Sequence, residues 1–161
     1  MKTIKFRGKS KESNEWVYGF YYEVPAPLKC IGKQDDPKGY IIMKNPNVVN
    51  DWGMPIPVVG VEVDKETVCQ YTGFDDTKNK EIYKGDILHV IKVNICGVDK
   101  YNVAEYNTDV KWEDGAFVIK GNADASYYDT WIAAYDNPDS PQIEIEVIGN
   151  IYENPELLYE L

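Results

Sequence analysis

Asp75, Thr77 and Asn79 place oxygen-bearing side chains at alternate positions of one polar loop, a pattern that suits a hard cation such as calcium. A helix–loop–helix calcium loop also needs glycine at its sixth position and a bidentate glutamate at its twelfth. Here Lys80 and Asp86 stand at those places, and the flanking segments read as strands. Turn chemistry explains the loop better, so no metal residue is assigned. Asp86 itself follows Gly85 and precedes an apolar run, and it lacks a positioned companion for acid–base work. Its expected role is mechanical: glycine allows a sharp entry into a strand, and the carboxylate accepts turn amides.

His89, the one histidine, alternates with Ile87 and Ile91, which puts it on a face shared with core residues. A ring satisfied by a hydrogen bond is the expectation there. Cys30, Cys69 and Cys96 form no Cys-x-x-Cys pair, so neither a zinc site nor a redox motif is indicated. A Cys–His pair between His89 and Cys69 or Cys96 has no support in the spacing. No P-loop, dinucleotide fingerprint or nucleophile elbow occurs. No catalytic or cofactor-binding residue is assigned, and no cofactor is expected.

The remaining candidates are aromatic. Trp16, Tyr18, Phe20 and Tyr22 alternate, with Tyr21 between the last two. Such a row can stack the bases of single-stranded nucleic acid when a positive groove accompanies it. Only Lys5, Arg7, Lys9 and Lys11 lie near in sequence. The reading preferred is core on one face of the strand and a subunit contact on the other, because interfaces are rich in Tyr and Trp.

The elements that must position these residues are mostly strands. Ile4–Arg7 and Trp16–Tyr22 read as a hairpin joined by a polar turn, and Tyr40–Met43 and Val58–Val63 as two further strands. Pro46, Pro55 and Pro57 forbid a central strand between those two. Ile87–Val93, Tyr101–Tyr106, Asp109–Trp112, Ala116–Ile119 and Ile143–Val147 continue the period-two pattern, with Asp114-Gly115 as a tight hairpin turn. Tyr128, Trp131, Ile132 and Tyr135 share a helical face, which predicts a helix over about 124–136. Asn154-Pro155-Glu156 opens a helical turn at the C-terminus. The seam between halves falls near residues 64–80.

The chain has 161 residues, 43% hydrophobic and 13% aromatic, and a net charge of −10. A uniform negative field disfavours direct nucleic-acid binding through a basic face. Two readings of the acidity stay open: plain solubility, or a surface that imitates nucleic acid or docks on a basic partner. The N-terminus lacks an apolar signal core and no apolar run approaches membrane-spanning length, so a cytoplasmic protein without membrane contact is expected.

Three sets of residues together carry a resemblance: Ile4–Arg7 with Trp16–Gly19; Glu66–Phe74 with Glu81–Ile87; and Glu146–Leu158. With them the whole chain resembles the YopX-like family of phage and prophage proteins. Cys69 stands where that family has glycine, and Asn79-Lys80 where Asn-Gly is usual. The resemblance implies a mainly β, phage- or prophage-encoded homo-oligomer and brings no catalytic residues. The architecture expected is two small β subdomains, residues 1–70 and 71–161, the second an SH3-like barrel with the helical insertion. The function expected is a non-enzymatic, self-assembling module that binds an unknown protein partner. Alternatives are an acidic antagonist of a nucleic-acid-binding host protein, or an enzyme with a site at the seam.

Overall fold

Alternating apolar residues separated by Asn, Asp and Gly turns fold most of the described residues into antiparallel strands. The computed structural model describes residues 4–26, 32, 35–44, 52–54, 57–95, 101–120, 129–131 and 143–159. The chain divides into two compact units, Met1–Gln70 and Tyr71–Leu161.

In the first unit β1 (Phe6–Lys9), β2 (Trp16–Val24), β3 (Lys38–Lys44) and β4 (Val58–Val63) lie in the order β4-β3-β2-β1. Gln70 and Cys69, at the start of β5 (Cys69–Asp75), pair with Phe6 and Arg7. β2 changes partner midway. Trp16–Gly19 pair with β1, whereas Phe20–Val24 pair with β3. Gly19 stands at that switch, where an added Cβ would lie 2.2 Å from the Ile42 carbonyl oxygen. The sheet then curls back on itself. Ser10 bridges Val63, the Lys11 amide donates to the Glu62 carbonyl at 3.0 Å, and the Asp64 amide donates to Lys9 at 2.9 Å. Ile41 and Val63 are wholly buried inside the curl. Thr67, in the 3-10 turn Lys65–Thr67, accepts the Lys9 amide at 2.8 Å and locks the curled end.

In the second unit, Tyr71–Asp75 of β5 form a hairpin with β6 (Glu81–Tyr83). The main sheet comprises β7 (Asp86–Ile95), β8 (Tyr101–Glu113), β9 (Ala116–Lys120), β10 (Asp129–Trp131) and β11 (Ile143–Asn150), in the order β10-β9-β8-β7-β11. Asp114 and Gly115 take φ of 49° and 83° between β8 and β9, the positive pair that a type I′ turn requires. One face carries the core: Leu88, Val90, Val110, Ile119, Ile145 and Val147 pack with Ile82. The C-terminal 3-10 helix Pro155–Tyr159 forms where Asn154-Pro155 predicts a helical turn.

One expectation is corrected. Asp129–Trp131 is a strand paired with Lys120–Val118 rather than part of a helix, because ladder bonds to β9 satisfy its backbone. The rest of the 124–136 helix lies outside the described residues. The barrel expected for this unit is not closed among the described residues, where β10 and β11 form the two ends of the sheet order.

Candidate interaction surface

The β2 row is sorted by what lies on each of its faces. Tyr21 points inward with Phe6, ring centroids 6.0 Å apart, and Gly39 leaves the space its ring occupies, since a Cβ there would meet Tyr21 Cε2 at 2.9 Å. Its phenol pKa is raised, first by burial and then by the hydrogen bond to Glu23. The alternate residues must therefore face out. Tyr18, Phe20 and Tyr22 are 43%, 59% and 58% exposed. The row weighed above as core or subunit contact is thus the open one, and half-buried Trp16 stands at its inner end.

Cations on β1 and just before it lie on the same side of the sheet. Arg7 pairs across the ladder with Tyr18, and Lys9 with Trp16. The Arg7 guanidinium lies 4.6 Å and the Lys9 ammonium 5.6 Å from the Trp16 ring centroid, with Lys5 5.8 Å from that of Tyr18. Such contacts hold a cation at a ring; Arg7 is itself buried, whereas Lys5 and Lys9 are half-buried. Farther along, Ile42 pairs with Phe20, Tyr40 with Tyr22 and Glu62 with Tyr40, which extends the face across three strands. Glu62 is bridged by Lys38 and Lys11, both at 3.0 Å, and these bonds hold its carboxyl below the ordinary carboxylate range. The face is therefore aromatic and cationic within an acidic chain.

The other candidates spend their polar atoms on the backbone. Asp76, unlike the alternating ligand set Asp75, Thr77 and Asn79, is the buried member of its loop. Its Oδ1 accepts the Lys78 and Lys80 amides, each at 2.8 Å, and its Oδ2 accepts the Val147 amide at 3.0 Å. Burial alone would raise its pKa; those backbone donors and the Lys80 charge outweigh it, and the net shift is downward. Asp75 accepts the Tyr71 hydroxyl at 2.8 Å, Thr77 donates to the Ile145 carbonyl at 2.8 Å, and Asn79 takes a φ of 62°. Among the described residues no cluster of three or more His, Cys, Asp or Glu is disposed to hold a metal. Sequence reasoning passed over Asp76 because its partners are amides, one of them from β11, which side-chain spacing does not reveal.

Asp86 accepts the Tyr83 amide at 2.7 Å, and Gly85 has a φ of 79°, the arrangement expected of a strand entry. His89 is braced on both ring nitrogens: Nδ1 lies 3.0 Å from Asn107 Oδ1 and Nε2 lies 3.3 Å from Glu105. Asn107 in turn donates to the Leu157 carbonyl at 2.7 Å, tying the C-terminal 3-10 helix to the sheet. The Cys69 thiol is buried and donates to the Thr67 carbonyl at 3.2 Å; Cys30 and Cys96 lie outside the described residues. A groove of about 480 Å³ runs beside β4, lined by Ser10–Glu12 and Val59–Glu62. The Ser10 hydroxyl there accepts the Glu12 and Ser13 amides, each at 3.2 Å. Among the described residues no helix is long and apolar enough to cross a membrane.

Charge divides sharply between the units. The first carries ten Lys or Arg against nine Asp or Glu, and the second carries seven against eighteen.

These features define a mainly β protein of two units, braced by carboxylate-to-amide bonds and open at one aromatic face. The chain belongs to the YopX family: the family model described as "YopX protein" matches residues 5–159. It is similar to the crystal structure of protein EF1440 from Enterococcus faecalis, at 19% identity and a TM-score of 0.47, over 98% of this chain and 99% of that one. No curated protein matches it.

Proposed function

We propose that this chain is a non-enzymatic interaction module, phage- or prophage-encoded and cytoplasmic, that assembles with itself and binds a protein partner. The observation that carries this reading is the outward row Tyr18, Phe20 and Tyr22 beside half-buried Lys5 and Lys9. Exposed aromatics in a continuous row mark an interaction site on a folded domain. The bracing roles of Asp76, Asp86, His89 and Cys69 support a scaffold rather than a catalyst. The same reading takes the second unit as an SH3-like module, on the strength of its hairpins and its Gly85-Asp86 strand entry.

Sedimentation velocity of the wild type and of the double variant Phe20→Ser, Tyr22→Ser tests the reading. Both side chains are exposed, so the variant should fold as the wild type does and lose its self-association. Unchanged association in the variant would sink the reading. A second reading, an acidic antagonist of a nucleic-acid-binding host protein, draws on the charge of the second unit. It predicts that the second unit's carboxylates, and not the aromatic row, are needed for binding to a basic partner.

A further inference from the structure

The outer face of the second unit's sheet is the chemical complement of the aromatic face in the first. It is the side opposite Leu88, Val90 and Val110, and on β7 it carries half-buried His89 and Ile91, while Ile87 on the same side is wholly buried. Glu105 and Glu144 both pair with Ile91, one from each neighbouring strand, and Glu146 pairs with His89. Two strand spacings set Glu105 and Glu144 roughly 10 Å apart, with Ile91 between them. Glu105 is 53% exposed at its side chain, Glu144 is exposed, and exposed Val103 continues the face beyond Glu105. On the first unit, Lys5, just before β1, and Lys9, at its end, are four residues apart, roughly 13 Å if extended, beside the exposed rings of β2. One face offers apolar surface framed by carboxylates. The other offers rings framed by cations.

We infer that the aromatic face of one copy docks on the Glu105–Ile91–Glu144 face of a second copy, making a head-to-tail contact. This rests on the reading of the first unit's face as a docking surface, and it names the occupant. The charge division argues for a second copy, because the near-neutral unit holds the cations and the other unit holds the excess of eleven carboxylates. The rings supply the buried apolar area; the charges steer the encounter and set its polarity. A head-to-tail contact leaves one unused face of each kind, so assembly continues past the dimer until a ring closes or a filament grows.

The test is sedimentation velocity of the full chain with two charge-reversed variants, Lys5→Glu with Lys9→Glu, and Glu105→Lys with Glu144→Lys. The wild type should associate beyond a dimer and weaken at least tenfold as salt rises from about 50 mM to about 500 mM. Each variant alone should be monomeric, while an equal mixture should regain association beyond a dimer, since the unreversed faces still match and the two reversed faces meet again with opposite charges. The neutral pairs Lys5→Gln with Lys9→Gln, and Glu105→Gln with Glu144→Gln, repeat the comparison if a reversal fails to fold; each should associate more weakly than the wild type. Wild-type association in the Glu105, Glu144 variants, with loss in Phe20→Ser, Tyr22→Ser, overturns the inference and leaves the module reading standing. A mixture that stays monomeric, or a monomeric wild type, also overturns it. So does saturable binding of an oligothymidine that needs Phe20 and Tyr22, which assigns the face to a nucleic acid.

Discussion

The two units use the same material, antiparallel strands rich in Tyr, Val and Ile, for opposite ends. The second unit gathers much of its apolar surface inward: seven buried residues from Ile82 to Val147 form one cluster, partly covered by Phe74, Tyr106 and Phe117, though Val103, Trp112, Tyr152 and Tyr159 stay exposed. The first turns much of its apolar surface outward, with Ile4, Tyr18, Phe20, Tyr22, Val24, Trp52, Met54 and Val58 all exposed. The difference shows that apolar content does not by itself report a core. It reports apolar surface, which a half-curled sheet of few strands can carry on the face it does not bury.

The contrast can be broken at its strong side first. Leu88→Ala removes a wholly buried side chain from the second unit's cluster and should cost about 3 kcal/mol by urea unfolding. A loss below about 1 kcal/mol would mean that this cluster is not the packed one. Next, Gly19→Ala drives a Cβ against the Ile42 carbonyl where β2 changes partner. Because the obstacle is backbone, we expect a loss of about 2–3 kcal/mol, read in the melting of the first unit.

Asp76→Asn sharpens the second unit's dependence on its carboxylate. An amide nitrogen facing one of three backbone donors should cost about 2 kcal/mol at neutral pH. The folded pKa of Asp76 lies below its unfolded value, so its stabilisation is present above the unfolded value and is lost as pH falls through the folded one. The wild type should therefore lose more stability than Asp76→Asn when pH falls below the ordinary carboxylate range, and parallel profiles would refute the role. Gly115→Ala, at a φ of 83° with open space around it, should cost about 1 kcal/mol from backbone strain alone. Phe20→Ser should change stability by no more than about 0.5 kcal/mol while removing association, which is the sharpest separation of the two kinds of apolar surface.

Much of this was legible in the residues. Period-two rows located β2, β3, β4, β7, β9 and β11, and Asp114-Gly115 named its own turn, because both signals are local. The Gly85-Asp86 entry was legible for the same reason. The strand Asp129–Trp131 was not, since i, i+3, i+4 spacing there competes with a ladder whose partner, β9, the periodicity does not specify. Asp76 stayed hidden because backbone amides have no residue type to read. The aromatic row was seen, but its direction was not: alternation separates two faces and does not say which one is covered.

By itself, then, the sequence determined the mainly β character, the turns, the strand entry and the family, all of which rest on local conformational preference and short motifs. Only the tertiary structure decided that Tyr21 packs inward while Tyr18, Phe20 and Tyr22 stay open, that Asp76 rather than Asp75 ties its loop to β11, and that Glu105 and Glu144 meet across Ile91. Those outcomes depend on register and on the curl of a sheet, which are set by contacts between residues far apart in the chain.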